Sequence, residues 1–141
     1  MEIIEATDHR SPIEALLAEN KLPVNDLPAS LENFLVAVDN DGVIGVIGIE
    51  IYGQHGLLRS LAVKLEHRDQ RIAGNLLNQI EENAKAKGLE AIYLLTETAD
   101  KYFDSKRYTR TIRAEVPAEV QQSSQFSFVC PQSAVVMKKV L

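Results

Sequence analysis

The residues that invite a chemical reading lie close together in the middle of the chain. In "EHRDQRIAGNLL", Arg68 and Arg71 precede the small residues Ala73 and Gly74 where an apolar, strand-like run gives way to helical periodicity. The start of a helix presents backbone N–H groups that have no partners of their own, together with partial positive charge. Two fixed cations and little side-chain bulk would suit such a turn to a phosphate. The plainer alternative is a connection whose arginines are solvated surface charges. Just upstream, Arg59 stands in "LLRSLAV" among apolar neighbours. A cation there either faces the anionic group of a ligand or pairs with an acid on the neighbouring strand, such as Glu50. Cys130 in "FVCP" is either a buried inert thiol or a soft, reactive group lining a site.

The elements that must position these residues follow from pattern. Ile72, Ala73, Leu76, Leu77, Ile80 and Ala84 recur at spacings of three and four, with Asn75, Asn78, Gln79, Glu82 and Lys85 opposite, which predicts a helix from Ile72 stopped by Gly88. "LLRSLAV" before it and "AIYLLT" after it read as strands, so residues 57–96 form a strand-helix-strand unit expected to close a parallel pair by a right-handed crossover. "FLVAV" and "VIGVIGIEIYG" flank "DNDG" and predict an antiparallel hairpin, in which Gly45 and Gly48 mark a bulge or a close backbone approach. "EIIEA" reads as a strand, and Ser11-Pro12 as the cap and first turn of a helix reaching Asn20. "KLPVNDLPAS" is a loop with a helical turn near Leu31. "TADKYFDSK" predicts a short helix, "RYTRTIR" a strand, "PAEVQQSS" a helical turn begun by Pro117, and "AVVMKKV" a closing strand.

With 141 residues, 45% hydrophobic and 25% charged, the chain is expected to form one domain over 1–141. A net charge of -5 gives no support to a general nucleic-acid or membrane-surface role, so any anion must be captured locally. No apolar run approaches the roughly 18 residues of a membrane span, and "MEIIEATDHR" lacks the layout of a signal peptide, so a cytoplasmic setting is expected. Cys130 is the sole cysteine, and His9, His55 and His67 form no ligand-spaced pair, so no metal site is expected.

"SLAVKLEHRDQRIAGNLL" resembles the central motif of the GCN5-related N-acetyltransferases, in which a strand ending in apolar-x-Val is followed by Arg/Gln-x-x-Gly-x-Gly/Ala and Leu-Leu. Val63, Arg68, Ala73, Leu76 and Leu77 fill the matching places, and Arg71 stands at the first motif glycine. Element order is similar through essentially the whole chain. "GLLRSLAV", "LLTETA" and "FSFVCPQSAVVMKK" are most similar to the subgroup associated with arsenic-resistance gene clusters. The resemblance implies an α/β (α+β) fold with a mixed, mostly antiparallel twisted sheet, a central splayed parallel strand pair and flanking helices. It implies acetyl-CoA as co-substrate and a small-molecule amine as partner. The backbone of Leu61, Ala62 and Val63 would hold the pantetheine amides, and Arg68, Gln70, Arg71, Ile72, Ala73 and Gly74 the pyrophosphate.

Acetyl transfer to an amine requires a proton acceptor, donors for the oxyanion and a proton for the departing thiolate. Family members often place a carboxylate base on the central strands and a tyrosine acid on the penultimate helix. Here those places hold Arg59 and Phe103, leaving Glu50 and Glu97 as base candidates, Tyr102 or Tyr108 as acid, and Arg59 with Cys130 as acceptor-binding candidates. Arg107 stands where the family has a glycine before the next strand. The alternatives are a catalytically silent acyl-CoA-binding or regulatory module and a plain interaction domain. Sheet edges also make a homodimer an open expectation.

Overall fold

The computed structural model describes residues 1–126 and 133–141. Among them, seven strands order as β1-β2-β3-β4-β5-β7-β6, with β1 Glu2–Glu5, β2 Phe34–Asp39, β3 Gly42–Tyr52, β4 His55–Val63, β5 Ala91–Thr96, β6 Thr109–Thr111 and β7 Val135–Val140. The helices are α1 Arg10–Glu19, α2 Ile72–Ala86, α3 Asp100–Ser105 and α4 Ala118–Gln121. The fold is mixed α/β, with antiparallel pairing of β1 with β2, β2 with β3, β5 with β7 and β6 with β7, and a parallel β4-β5 pair. No helix of the described residues is long and apolar enough to cross a membrane. Contacts divide the chain into two compact units, Met1–Ile49 with Ser60–Asn83, and Glu50–Arg59 with Ala84–Leu141.

In the first unit, α1 buries Ile13, Leu16 and Leu17 in a core with Phe34, Val36, Val43, Val46 and Ala62. Each such aliphatic side chain contributes about 1.5–3 kcal/mol by burial. The helix begins at Arg10, ahead of the predicted Ser11 cap, and His9 is the N-cap without a side-chain hydrogen bond. Pro12 is tolerated because the first helical donor is the later Ile13 N–H, to His9 O at 3.1 Å. Leu31 is buried and its carbonyl accepts from Phe34 N–H at 3.0 Å, closing a turn where a helical turn was predicted.

The β2-β3 hairpin turns at Asn40-Asp41, with Asp39 facing Gly42 and Asp39 Oδ1 accepting from Asp41 N–H at 2.7 Å. Its register shifts between Ala37 and Val38, whose partners are Gly45 and Val43, so the bulge is real. Gly48 is the close approach: a Cβ there would meet the Phe34 ring at 2.3 Å.

In the second unit, Leu57, Ala91, Tyr93, Val116, Val120, Phe126 and Val136 share a core. His55, Gly56 and Leu57 register in parallel with Ala91, Ile92 and Tyr93, while all of β5 pairs with β7. The strand predicted over "RYTRTIR" is shorter, because the chain leaves the sheet after Thr111 and turns through a 3-10 segment, Arg113–Glu115. Gly88 ends the α2 segment with φ 82°, and Leu89 N–H donates back to Ala84 O at 3.1 Å.

Candidate functional site

The first unit carries the basic turn whole. After Val63 the backbone is held by Lys64 N–H donating to Ile44 O at 2.8 Å, then passes through a 3-10 turn, Leu65–His67. Arg68 is extended, and Asp69 and Arg71 take left-handed φ of 67° and 63°. Asn75 N–H donates to Arg71 O at 3.0 Å, so Arg71 occupies the position just before α2. The N–H groups of Ile72, Ala73 and Gly74 precede that bond and belong to the helix start that has no intrahelical acceptor. Arg68, Asp69, Gln70 and Arg71 are exposed, while Ala73 and Gly74 are half-buried. Such a turn offers backbone donors and fixed positive charge to an anion.

The start of α2 is anchored from below. Ile72 and Leu76 are buried, and a Cβ at Gly45 would lie 3.1 Å from Ile72 Cγ2 and from Leu76 Cδ1. The missing side chain at the β3 bulge thus lets the helix start sit close to the strand. Leu61 is half-buried, and Ala62 and Val63 are buried at the end of β4. The sequence-predicted cofactor residues therefore form one continuous segment at the end of a strand and the start of a helix.

Arg68 does not hang free in solvent. Its Nη2 donates to Asn20 Oδ1 at 2.6 Å, and its Nε approaches Val63 O at 3.4 Å. Asn20 is the C-cap of α1, far away in sequence, and pattern reading missed it because nothing local links it to the turn. A second missed set surrounds His67, whose Nε2 lies 3.8 Å from Asp39 Oδ2 and 3.4 Å from Asp41 Oδ2. These three donors fall within 4.8 Å of one another. No histidine spacing signals them, since the β2-β3 hairpin supplies two carboxylates to one imidazole.

The second unit brings Arg59 and Glu50 together. Arg59 Nη1 donates to Glu50 Oε2 at 2.6 Å, with the arginine side chain 1% and the glutamate 14% exposed. Tyr52 Oη donates to the other carboxylate oxygen, Glu50 Oε1. Of the two readings open for Arg59, the acid on the neighbouring hairpin strand is the partner formed in the structure. Beyond Arg59, Ser60 takes a left-handed φ of 61° inside β4, so side chains do not simply alternate along that strand.

Glu97 is exposed just beyond β5, where Thr96 Oγ1 accepts from Ala99 N–H at 2.9 Å. On α3, Phe103 is buried, with its ring edge-on to Tyr102 at 5.3 Å and to Tyr108 at 5.4 Å. Tyr102 is half-buried, its hydroxyl is buried and Lys106 Nζ lies 5.6 Å from its ring. Tyr108 is 2% exposed, and Lys139 Nζ lies 5.5 Å from its ring centroid. Arg107 takes φ 72°, so Arg71 and Arg107, the two arginines that the resemblance sets at glycine positions, both have a left-handed backbone. Cys130 lies outside the described residues.

An exposed ion-pair network joins α3 to β6. Arg110 donates to Asp100 at 2.6 Å and to Asp104 at 2.7 Å. The hydrogen bond from Arg110 holds the Asp100 carboxyl below its ordinary value.

Residues 3–109 match the family model described as "Acetyltransferase (GNAT) family". No curated protein sequence matches the chain significantly. Among solved structures, the N-acetylglutamate synthase of Neisseria gonorrhoeae, complexed with coenzyme A and N-acetyl-glutamate, superposes with a TM-score of 0.84 at 17% identity. That match covers 99% of this chain and 35% of the synthase, so the chain spans about a third of that enzyme. Rv2747 from Mycobacterium tuberculosis, in complex with CoA, gives a TM-score of 0.80 at 20% identity, covering 100% of this chain and 99% of that one. A GNAT-family acetyltransferase from Staphylococcus aureus gives 0.76 at 20% identity, covering 99% and 98%. Identities this low establish likeness of fold.

Proposed function

The chain belongs to the GNAT family of acetyltransferases, and on that premise we propose that it transfers an acetyl group from acetyl-CoA to the amine of a small molecule by direct attack in a ternary complex. The observation that carries the proposal is the turn before α2. Arg71 holds a left-handed φ of 63° at a position where the family has glycine, and exposed arginines flank a helix start. A backbone conformation kept despite its cost, on a surface suited to phosphate, is what a cofactor cradle requires.

In this reading Arg68, Gln70, Arg71, Ile72, Ala73 and Gly74 hold the pyrophosphate, and the backbone of Leu61, Ala62 and Val63 holds the pantetheine arm. The neutral amine attacks the thioester carbonyl, the tetrahedral intermediate collapses with loss of the CoA thiolate, and the amine's proton passes to a base or a water chain. Glu97 and Glu50 are the carboxylates proposed for that task. Glu50 already accepts from Arg59 and Tyr52, which favours Glu97. Tyr102 would return a proton to the thiolate. Arg59 and Cys130 would contact the acceptor, Arg59 by exchanging Glu50 for an anionic group on it.

The Arg59–Glu50 pair and Phe103 at the acid position also favour a second reading, an acyl-CoA-binding module without turnover. Calorimetry with acetyl-CoA tests both, because absence of binding at hundreds of micromolar removes each of them. A thiol-release assay over an amine panel then separates them. The panel should include free amino acids, since the gonococcal synthase structure holds N-acetyl-glutamate.

A further inference from the structure

We propose that Asn20 is a positioning residue for the cofactor's phosphates, holding the Arg68 guanidinium in place with a neutral acceptor; this rests on the reading of the turn before α2 as the CoA pyrophosphate site. An arginine on an exposed turn ordinarily loses rotamer freedom when a ligand orders it. Here the side chain is ordered beforehand, by Asn20 Oδ1 at 2.6 Å from Nη2 and by Val63 O at 3.4 Å from Nε.

Asn20 is itself oriented. Its Nδ2 donates to Leu16 O at 2.9 Å, which turns Oδ1 toward Arg68. Its backbone N–H donates to the carbonyls of Leu16 and Leu17, and Lys21 beyond it takes φ 58°, fixing the end of α1. The C-terminal end of a helix also carries partial negative charge, which favours a cation beside it. The decisive feature is that the acceptor is an amide. A carboxylate in its place would neutralise Arg68, whereas the amide holds the group and leaves its charge for an anion. A guanidinium has five N–H donors, more than these two contacts engage, so bidentate recognition of a phosphate remains open to it.

The test is calorimetry with CoA on the wild type, Asn20→Ala, Asn20→Asp, Arg68→Ala and the double variant Asn20→Ala with Arg68→Ala. Asn20→Ala is expected to weaken CoA about three- to ten-fold, the factor of one hydrogen bond of ordinary net strength. It should have no further effect once Arg68 is alanine. Asn20→Asp keeps an oxygen beside the guanidinium and is still expected to weaken CoA at least as much, because it neutralises the charge. None of the three single variants should change the affinity for S-acetyl-pantetheine, which lacks the pyrophosphate. Affinity for CoA unchanged in Asn20→Ala while Arg68→Ala weakens it overturns the inference, as does an equal loss from Asn20→Ala in the Arg68→Ala background. If Asn20→Ala does not fold, Asn20→Asp carries the test, and wild-type affinity for CoA in that variant overturns it. A wild type that binds no CoA is a different result, and it removes the underlying reading of the turn.

Discussion

A left-handed backbone at an arginine costs about 1–2 kcal/mol that glycine does not incur, and the chain accepts that cost at Arg71, where φ is 63°. The substitution Arg71→Gly therefore separates conformation from charge. It is expected to raise stability by about 1 kcal/mol, seen as a higher urea midpoint, because the strain is relieved at an exposed site. The same variant should bind acetyl-CoA more weakly, since a cation is lost from the turn proposed to hold the pyrophosphate. A variant that is less stable would show that the Arg71 side chain contributes more than its backbone costs. From the sequence, the motif order exposed the question at this position, because Val63, Arg68, Ala73 and Leu76 align around it. No pattern could give the answer, since φ at one residue depends on the strand end and helix start on either side of it. Arg59 is similar. Its charge among apolar neighbours was legible, and Glu50 was one of two readings, but only the hairpin register could place the two side chains 2.6 Å apart.

At the scale of elements, Gly45 and Gly48 of β3 do different work. Gly48 faces the fully buried Phe34, whose ring atoms lie 2.3 to 2.6 Å from where a Cβ would stand. Gly48→Ala is expected to destabilise by about 1–3 kcal/mol through overpacking, measured by chemical denaturation. Gly45→Ala meets Ile72 and Leu76 at 3.1 Å, contacts that small shifts of α2 can relieve. Its effect should fall more on acetyl-CoA affinity than on stability, because the shift moves the helix start. The α3-β6 connection offers a pH-dependent case. Asp100 is held below its ordinary 3.8 in the fold by the Arg110 hydrogen bond. A carboxylate depressed in the folded state contributes stability that is full above the unfolded value and is lost as pH falls through the lower folded one. Melting wild type and Asp100→Asn across that acid range should show a gap that closes as pH falls, and also narrows in high salt because the pair is exposed. Helix α2 and its Gly88 stop were legible because their signals are local and periodic. The 3-10 segments Leu65–His67 and Arg113–Glu115 were not, because short turns have no periodicity to read.

For the whole molecule, the division into two units sets a question of cooperativity. β3, β4 and α2 each run through both units, since the boundaries fall after Ile49, Arg59 and Asn83, inside those elements. Unfolding either unit alone would cut a hydrogen-bonded helix and two strands in mid-course, leaving broken ends without their ladder partners. We therefore expect one two-state transition, in keeping with a single domain over 1–141. Far-ultraviolet circular dichroism and tyrosine fluorescence should give coincident urea curves. All four tyrosines, Tyr52, Tyr93, Tyr102 and Tyr108, lie in the second unit, so their fluorescence reports that unit while circular dichroism reports both. Acetyl-CoA should move the two curves together by RT ln(1 + [L]/Kd), about 2.7 kcal/mol at a hundred times Kd, although the basic turn lies in the first unit. A ligand-dependent shift in circular dichroism alone, with tyrosine fluorescence unmoved, would mean that the units unfold separately and would count against the single-domain reading.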